Sequence, residues 1–354
     1  MDPNYLLNAL ALAQQRRGFC APNPAVGAVI VDTHGKIVGS GHHYGAGFPH
    51  AEIEALKSLQ DSAAASTLYV TLEPCCHFGR TPPCTDAILK AGIKHVVYGY
   101  QDPNPLVAGK GAAQLREQGV RCDLVSLPEI AQFYQSYQHW QRYRTPFMTA
   151  KLAMSLDGKI AGPAGERVQL TGPELQRLTH ERRLASDAIL TTAKTILQDD
   201  PQLNVRLDGQ VIAKPIYLID RQLRLPLTAQ IVNTAQSVTI FHAHSASQST
   251  KHELLKLGLR CIALDETPNG LDLDQVLAHI GQEGMHDVWV EAGGTFFSSL
   301  LHENRVQRLL IYLAPRWLVH GQSAFTTPLS FEKLGFPITW RQFGNDVLGE
   351  MLFR

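Results

Sequence analysis

One histidine, one glutamate and two cysteines constrain the fold of this chain most strongly, because their side chains must converge for the pattern to have a function. His50 and Glu52 open a predicted helix, Cys75 follows a predicted strand, and Cys84 starts a second helix. One imidazole and two thiolates supply three ligands to a tetrahedral zinc and leave the fourth position for water, as catalytic sites do. A thiol at a helix N-terminus also ionises readily. We therefore predict that one zinc ion per chain is bound by His50, Cys75 and Cys84.

Glu52 is then free for proton transfer and is predicted to be catalytic. Zinc lowers the pKa of bound water towards neutrality, so hydroxide can attack an amidine-like ring carbon while a carboxylate carries the proton to the departing amine. The pattern H-x-E followed by P-C-x-x-C is the signature of zinc nucleobase deaminases. Here eight residues, in place of two, separate Cys75 from Cys84. A structural zinc and inert buried thiols are the alternative interpretations, and Cys76 is interpreted as a bystander.

Short β-branched runs alternate with helical segments along both halves of the chain, which predicts an α/β fold. A chain of 354 residues exceeds the size of most single cores, so two domains are expected. A helical segment ends at Thr145-Pro146, where a new apolar run begins, and we place the boundary there, between domains 1–145 and 146–354. The predicted strands are 26–31, 36–41, 67–72, 95–100, 147–153, 216–220, 238–242, 287–291 and 308–314, and the main predicted helices are 51–59, 85–90, 128–146, 173–185 and 273–283.

The charge balance gives no indication of a nucleic-acid partner, since Lys+Arg and Asp+Glu both number 32. The competing hypothesis of a nucleic-acid-binding protein rests on one short basic and aromatic stretch, 139–144, which is more simply a linker helix. Apolar runs are too short to span a membrane, and the start of the chain lacks the pattern of a signal peptide. Six cysteines are too sparse for a disulfide scaffold. We expect a cytoplasmic protein with no nucleic-acid or membrane partner.

Several longer motifs identify a family. They are Pro22-Asn23-Pro24-Ala25-Val26-Gly27, His50-Ala51-Glu52, Thr71-Leu72-Glu73-Pro74-Cys75, the run from His77 to Cys84, and Gln101-Asp102-Pro103-Asn104-Pro105. Together they resemble the bifunctional riboflavin-biosynthesis family, in which a diaminohydroxyphosphoribosylaminopyrimidine deaminase is joined to a 5-amino-6-(5-phosphoribosylamino)uracil reductase. The long loop before Cys84 separates this family from cytidine and tRNA-adenosine deaminases.

The resemblance implies a fold, cofactors and a substrate. The N-terminal domain is expected to be a cytidine-deaminase-like three-layer α/β/α domain, and the C-terminal domain a dihydrofolate-reductase-like α/β domain that uses NADPH. The substrate would be a small phosphorylated pyrimidine, and the family usually forms dimers or tetramers. In the deaminase domain, Asn23 can present a donor and an acceptor to a base edge, and His77 and Arg80 can meet the phosphate. A turn residue and a surface charge are the plain alternatives for Asn23 and Arg80.

The C-terminal half carries the reductase motifs 151–158, 199–206 and 291–295. Gly293-Gly294 follows a predicted strand and opens a helix whose free amides could hold a cofactor phosphate. A simple strand-to-helix turn is the alternative. By resemblance, the NADPH positions are Ala153, Gln169, Thr195, Asp199, Arg221, Gly293, Gly294, Thr295, Phe296, Phe297, Ser298 and Ser299. The substrate positions are Arg167, Arg183, Leu203, Arg206 and Glu291.

The chain departs from the family pattern at several of these positions. The family commonly has Gly-Glu-Ser-x-Trp where this chain has Gly165-Glu166-Arg167-Val168-Gln169. Arg221 stands where a serine is usual, and Ala153 where glycine is common. Arg221 could add a phosphate contact or crowd the adenosine side. These changes motivate an alternative hypothesis, a deaminase whose reductase half has become a structural domain.

Overall fold

The computed structural model describes residues 2–78, 82–105, 107–325 and 337–353. The chain divides into two compact units. The first comprises Met1–Thr145 together with the short segment Glu283–His286, and the second comprises Pro146–Gln282 and Asp287–Arg354. No helix among the described residues is long and apolar enough to cross a membrane.

The first unit is built around a five-stranded sheet with the order β2-β1-β3-β4-β5. Its strands are β1 Gly27–Val31, β2 Ile37–His42, β3 Thr67–Val70, β4 His95–Tyr98 and β5 Arg121–Leu124. Its helices are α1 Asn4–Gln14, α2 Ala51–Lys57, α3 Cys84–Lys90, α4 Lys110–Glu117 and α5 Pro128–Tyr143. Strand β1 is antiparallel to both of its neighbours, whereas β3, β4 and β5 are parallel.

Both faces of this sheet are covered, which explains why β1 is apolar at every position. Ala28 and Ile30 belong to a core cluster with residues of α2, α3 and α4. Val29 and Val31 belong to a second cluster with residues of α1 and α5. Successive strand residues point to opposite faces, so a strand buried on both sides has no polar alternation. The result is a helix–sheet–helix arrangement of three layers.

The second unit contains a nine-stranded sheet with the order β13-β12-β11-β8-β16-β6-β17-β20-β19. The first seven strands in this order are mutually parallel, and β20 and β19 continue the sheet antiparallel. The strands of the sheet are β6 Phe147–Ser155, β8 Ala188–Thr192, β11 Pro215–Ile219, β12 Ser237–Ala243, β13 Arg260–Leu264, β16 Asp287–Glu291, β17 Arg308–Ala314, β19 Ile338–Phe343 and β20 Asp346–Leu352. In open α/β sheets, ligands bind beyond the carboxyl ends of the parallel strands.

Helices, two small hairpins and one short antiparallel pair of strands that are distant in sequence accompany this sheet. The helices are α6 Pro173–Ala185, α7 Ala193–Asp199, α8 Ile231–Thr234, α9 Gln248–Lys256, α10 Leu273–Gln282 and α11 Gly294–His302. The short strands are β7 Lys159–Ala161, β9 Val205–Leu207, β10 Gln210–Ile212, β14 Glu266–Thr267, β15 Gly270–Leu271 and β18 Gln322–Ser323. One core cluster joins Leu175 of α6, Ile189 of β8 and Trp289 of β16.

The element boundaries differ from the sequence-based ones by a few residues. The predicted helix 128–146 ends at Tyr143, because Arg144 adopts a left-handed conformation with φ 58° and its amide closes the last turn on Trp140. Helix α4, strand β5, strand β8 and the antiparallel pair β19–β20 are absent from the sequence-based prediction. Helix α4 is short and strand β5 has only two residues that are not charged, so neither carries strong periodicity.

Candidate active sites

The four residues of the first site lie at the ends of regular elements in the first unit. His50 is the N-cap residue of α2 and has an extended backbone, and Glu52 lies in the first turn of the same helix. Cys84 is the first residue of α3. Cys75 follows the strand β3 after a short connection, and its carbonyl accepts a hydrogen bond from the Thr85 amide at 3.2 Å. Two helix N-termini and one strand end therefore bring the predicted ligands together.

The ligand atoms of His50, Cys75 and Cys84 lie within 4.8 Å of one another. His50 Nδ1 is 3.2 Å from Cys84 Sγ and 3.4 Å from Cys75 Sγ. Ligands at zinc–nitrogen and zinc–sulfur distances of about 2.0–2.3 Å in a tetrahedron are separated by roughly 3.5–3.8 Å. One nitrogen and two sulfur atoms at these separations fit a zinc site with one open position. Cys76, although adjacent in sequence, is outside this cluster.

The electrostatics of the cluster favour proton exchange. The hydrogen bond to the Cys84 thiol lowers the pKa of Cys75, and the same contact raises the pKa of Cys84. The hydrogen bond to Cys75 raises the pKa of His50 to about 8. Burial raises the pKa of Glu52, whose side chain is only 3% exposed. A carboxyl group that holds its proton more readily is suited to carry one between water and an amine.

Asn23 is positioned by a histidine to which no role could be assigned from the sequence. Its amide nitrogen is 3.0 Å from Nε2 of His43, and Nδ1 of His43 is 2.9 Å from the carbonyl oxygen of Pro49. The rings of His43 and His50 meet edge to face at 5.2 Å. His43 therefore links Asn23 to the metal cluster. In the sequence, the one feature that distinguishes His43 is its position directly after β2.

The remaining predicted deaminase residues are less defined by contacts. His77 is half-buried, and within the described part of the chain its Nδ1 is enclosed without a hydrogen-bond partner. Arg80 lies outside the described residues. Asp102, from a motif to which no role was given, is buried and accepts hydrogen bonds from the Asn104 amide at 2.8 Å and the Tyr137 hydroxyl at 3.4 Å. Burial raises the pKa of Asp102 to about 6.

The second site lies in the second unit, beyond the carboxyl ends of the parallel strands. Gly293 and Gly294 connect β16 to α11, and Gly293 is the N-cap residue of that helix. A Cβ atom at Gly294 would lie 2.3 Å from the carbonyl oxygen of Ala324, whereas one at Gly293 would meet nothing within 4 Å. Gly294 therefore allows close backbone packing. The space beside Gly293 and the first free amides of α11 suit a phosphate group.

Three of the predicted substrate residues belong to one hydrogen-bonded group. Both oxygens of Glu291 accept hydrogen bonds from the guanidinium of Arg183, and Trp289 donates to the same carboxylate at 2.7 Å. Arg183 also donates to the Asn204 carbonyl oxygen at 2.7 Å, and Arg206 donates to the Asn204 side-chain oxygen at 2.6 Å. Burial opposes ionisation of Glu291, but the Arg183 charge outweighs it and lowers the pKa of Glu291 to about 2. Asn204 lies in the motif 199–206, but no role could be assigned to it from the sequence.

Most of the predicted cofactor residues lie on α7, on β6 or in the first turns of α11. Thr195 and Asp199 lie on α7, where the Thr192 hydroxyl accepts the Thr195 amide as an N-cap. Ala153 lies near the end of β6 and is partly buried. In α11 the side chains of Phe297 and Ser298 are buried, Ser299 donates to the Thr295 carbonyl, and Thr295 and Phe296 are more accessible.

Three of the four substituted positions are exposed, and the fourth, Ala153, is partly buried. Arg167 and Gln169 lie in an exposed loop, and the Gln169 amide donates to the Thr171 carbonyl at 3.1 Å. Arg221 follows β11, two strands and therefore about 10 Å from the end of β16. Its guanidinium is 3.5 Å from a carboxylate oxygen of Glu266. Leu203, by contrast, is 2% exposed and packs into the core.

A polar cavity lies beside α7. It has a volume of about 390 Å³ and is lined by Ala164, Gly165, Lys194, Gln198, His320, Gly321 and Gln322.

Lys151 of β6 lies close to Glu291, although no role could be assigned to it from the sequence. Its ammonium group lies 5.5 Å above the Tyr312 ring, and burial lowers its pKa. Lys151 and Arg183 place two positive charges around Glu291.

Two family models match this chain, one in each half. Residues 1–100 match the cytidine and deoxycytidylate deaminase zinc-binding region, and residues 146–348 match the RibD C-terminal domain. Riboflavin biosynthesis protein RibD of Aquifex aeolicus is 38% identical over 324 residues, which cover 91% of this chain and 89% of the relative. The RibD protein of Escherichia coli is 38% identical over 346 residues, which cover 94% of this chain and 93% of the relative.

Solved structures give the same result. RibD of Acinetobacter baumannii superposes with a TM-score of 0.86 at 32% identity and covers 99% of this chain and 98% of its own. A diaminohydroxyphosphoribosylaminopyrimidine deaminase/5-amino-6-(5-phosphoribosylamino)uracil reductase of Thermotoga maritima also has a TM-score of 0.86, at 30% identity, and covers 99% of this chain and 97% of its own.

The fold and the two sites define an enzyme that joins a zinc-binding deaminase domain to a reductase domain. The chain belongs to the RibD family of riboflavin biosynthesis proteins. The predicted family, fold class, bifunctional organisation and cofactors, zinc and NADPH, are confirmed at the level of the two domains. The bifunctional hypothesis is favoured over a deaminase with a degenerate reductase half.

Proposed function

We propose that the chain catalyses two consecutive steps of riboflavin biosynthesis on a phosphorylated pyrimidine. Residues 1–145 hydrolyse the ring amine of 2,5-diamino-6-(5-phosphoribosylamino)pyrimidin-4(3H)-one. Residues 146–354 then use NADPH to reduce the ribosyl group of 5-amino-6-(5-phosphoribosylamino)uracil to ribityl. The approach of His50, Cys75 and Cys84 next to a buried glutamate carries the first assignment. The Thermotoga maritima relative, whose name includes both activities, supports the substrate.

In the deamination, His50, Cys75 and Cys84 hold zinc, and Glu52 moves the proton. Zinc, when bound, makes a water molecule acidic enough to serve as the nucleophile. Glu52 takes the water proton and delivers it to the departing nitrogen, so that a carbon–oxygen bond forms, the carbon–nitrogen bond breaks and ammonia leaves. Its raised pKa supports this exchange.

Recognition of the first substrate uses polar groups around the cluster. Asn23, held by His43, presents a donor and an acceptor to the pyrimidine edge. His77 and Arg80 meet the phosphate of the ribosyl arm. Within the described part of the chain the enclosed Nδ1 of His77 has no hydrogen-bond partner, which supports a role in binding.

In the reduction, the protein aligns two ligands at the carboxyl ends of the parallel strands. NADPH, when bound, supplies a hydride to C1' of the sugar, the ring carbon–oxygen bond breaks, and the released oxygen takes a proton. The amides of the Gly293 to Ser299 turn hold a cofactor phosphate, and Ala153, Gln169, Thr195, Asp199 and Arg221 flank the cofactor. Arg167, Arg183, Leu203, Arg206 and Glu291 form the substrate side.

We further propose that the enzyme acts in the cytoplasm as a homo-oligomer, a dimer or a tetramer, without a nucleic-acid partner. Its equal numbers of acidic and basic residues support the last point, because nucleic-acid-binding surfaces are basic. Binding of RNA that weakens with added salt would contradict it.

Mass analysis of the product formed from the diamino pyrimidinone phosphate tests both activities. We expect loss of the amine with or without NADPH, and a gain of two hydrogens only with NADPH. Deamination alone would mean that the substitutions at Arg167, Gln169 and Arg221 have disabled the second step. An unchanged substrate mass in a zinc-loaded sample would overturn the proposal.

A further inference from the structure

Glu73 is a buried carboxyl group two residues before the ligand candidate Cys75, and neither proposed step uses it. Its side chain is 3% exposed. One carboxyl oxygen accepts the Gly109 amide at 2.8 Å, and the other accepts the Ala112 amide at 3.1 Å. Gly109 is the N-cap residue of α4, so both donors belong to amides that the helix itself leaves without acceptors. Glu73 is thus fastened to the start of α4 at two points.

The backbone next to Glu73 is equally close to α4. A Cβ atom at Gly111 would lie 1.9 Å from the Pro74 carbonyl oxygen and 3.5 Å from the nearer Glu73 carboxyl oxygen. The Glu73 amide donates to the Tyr100 carbonyl at 2.9 Å, which ties the same peptide to the end of β4. The helix can therefore approach the Glu73-Pro74 peptide only because residue 111 has no side chain.

Cys75 follows Pro74, and besides its contact with His50 it is held by α3. The Thr85 amide donates to the Cys75 carbonyl oxygen at 3.2 Å, and the Cys84 amide donates to the Cys75 sulfur at 3.4 Å. Helix α3 holds Cys75 itself, and α4 holds the two residues before it. Without the second attachment, the sulfur would be free to move relative to His50 and Cys84.

We propose that Glu73 is a positioning residue of the deaminase site. This inference rests on the function proposed above. Its carboxyl group uses the first amides of α4 to fix the Glu73–Cys75 segment and thereby keeps the Cys75 sulfur at ligand distance from its two partners. Glu73 makes no contact with substrate in this role. Residues that orient a metal ligand commonly change metal affinity or activity by about 10–100-fold when they are replaced.

The test compares Glu73→Gln and Gly111→Ala with Glu54→Gln in the full-length zinc protein. An amide side chain offers one acceptor and directs an NH₂ group at the second α4 amide, so Glu73→Gln breaks one attachment at almost constant size. Gly111→Ala displaces Pro74 from the opposite side. Glu54 lies on α2 of the same unit, pairs with Lys57 on the surface, and serves as the matched control.

Three measurements report on the position of the sulfur. They are the rate of zinc release to a chelator, the thiolate-to-cobalt absorption band of the cobalt-substituted protein, and kcat and KM for deamination. For Glu73→Gln and Gly111→Ala we expect zinc release to be roughly 10-fold faster, the cobalt band to shift or weaken, and kcat to fall roughly 10-fold with KM nearly unchanged. Glu54→Gln should match the unaltered protein. Reduction of the deaminated substrate by the second unit should be unchanged and provides an internal control.

A purely structural role gives a different result. If Glu73→Gln lowers the unfolding midpoint but leaves the cobalt band, zinc release and kcat at their original values, the inference is wrong. If Glu73→Gln does not fold, Glu73→Asp replaces it, because Asp keeps both acceptors but withdraws them by one methylene group. The metal measurements need no substrate, so they decide the role of Glu73 even if the proposed deamination fails.

Discussion

The two sites of this chain are assembled in different ways. In the first unit, His50, Cys75 and Cys84 form a compact cluster of three ligand candidates. In the second unit, Arg183 and Glu291 already neutralise each other, and the rest of the site is distributed along the ends of several parallel strands. The metal cluster depends on a bound ion to hold its ligands together, whereas the Arg183–Glu291 pair is formed entirely by side chains of the chain. Changes to the first should act on metal and turnover, and changes to the second should act on stability and cofactor affinity.

The largest expected effect is the loss of zinc from Cys84→Ser. A ligand removed from a three-residue set should reduce zinc from one ion per chain to a small fraction and abolish deamination. Zinc is measured by elemental analysis of purified protein. The control is Cys76→Ser, because Cys76 neighbours Cys75 but lies outside the cluster. Equal zinc content in the two variants would exclude Cys84 as a ligand.

Glu52→Gln should separate chemistry from metal binding in the same site. We expect ammonia release to fall by about 10²–10⁴-fold, because the proton carrier is removed while the three ligands remain. Zinc content and reduction of the deaminated substrate should not change. Glu54→Gln, two residues away on the surface of α2, is the matched control. Appreciable deamination by Glu52→Gln would remove this residue from the mechanism.

In the reductase unit, Arg183→Met should act first on stability. It leaves the enclosed Glu291 carboxylate without its main partner, and breaking a buried ion pair in this way costs about 3–5 kcal/mol of unfolding free energy. Urea unfolding, followed by tryptophan fluorescence, measures the change. Arg177→Met breaks exposed pairs with Asp208 and Glu181, each of which should cost at most about 1 kcal/mol. Similar costs for the two variants would mean that burial of the Arg183 pair has no energetic consequence.

The same pair predicts a pH dependence. The pKa of Glu291 is about 2 in the folded chain and 4.5 in a free glutamate. A lowered acid pKa stabilises the fold fully above the unfolded value, and this contribution is lost as the pH falls towards the folded value. The unfolding free energy of the unaltered protein minus that of Glu291→Gln should therefore decrease by roughly 2 kcal/mol between pH 6 and pH 3. A constant difference would show that Glu291 is not held ionised.

The smallest expected effect concerns cofactor choice. Glu266→Gln releases Arg221 from its exposed ion pair, so Arg221 becomes more available to a phosphate on the adenosine side. Such pairs contribute about 0.2–1 kcal/mol, which corresponds to a roughly 1.4–5-fold tightening of NADPH binding with NADH unaffected. Fluorescence titration with both nucleotides measures the ratio. Glu253→Gln, which breaks another exposed pair with Lys256, is the control. An unchanged ratio would exclude Arg221 from phosphate recognition.

The sequence was sufficient for the metal cluster because its residue types are rare and their spacing is characteristic. His50, Cys75 and Cys84 also fall at the ends of strongly apolar elements, where a pattern of hydrophobicity locates them well. Asp102 and Glu73 could not be assigned from the sequence, since acidic residues are common and only the fold shows that these two are buried. The same holds for His43, whose contact with Asn23 crosses 20 residues.

The reductase site could be located but not assembled from its sequence. Gly293-Gly294 after an apolar strand indicates a turn for phosphate, and the family motif supplies the other positions. The pairing of Arg183 with Glu291 crosses 108 residues and depends on the order of strands in the sheet. Hydrophobic periodicity does not reveal the order of strands in a sheet. It also did not reveal the pairing of Arg221 with Glu266. These contacts had to come from the fold.

The short segment Glu283–His286 has a consequence for dividing this protein experimentally. It lies between α10 and β16 in the sequence, yet it is grouped with the first unit, where His286 hydrogen-bonds the Pro22 carbonyl and packs against Tyr137 and Trp140. A gene cut once after codon 145 would express each half with a defect, because the first half would lack these four residues and the second would carry them without their packing partners. Clean separation of the two activities therefore requires redesign of this loop as well as a new terminus.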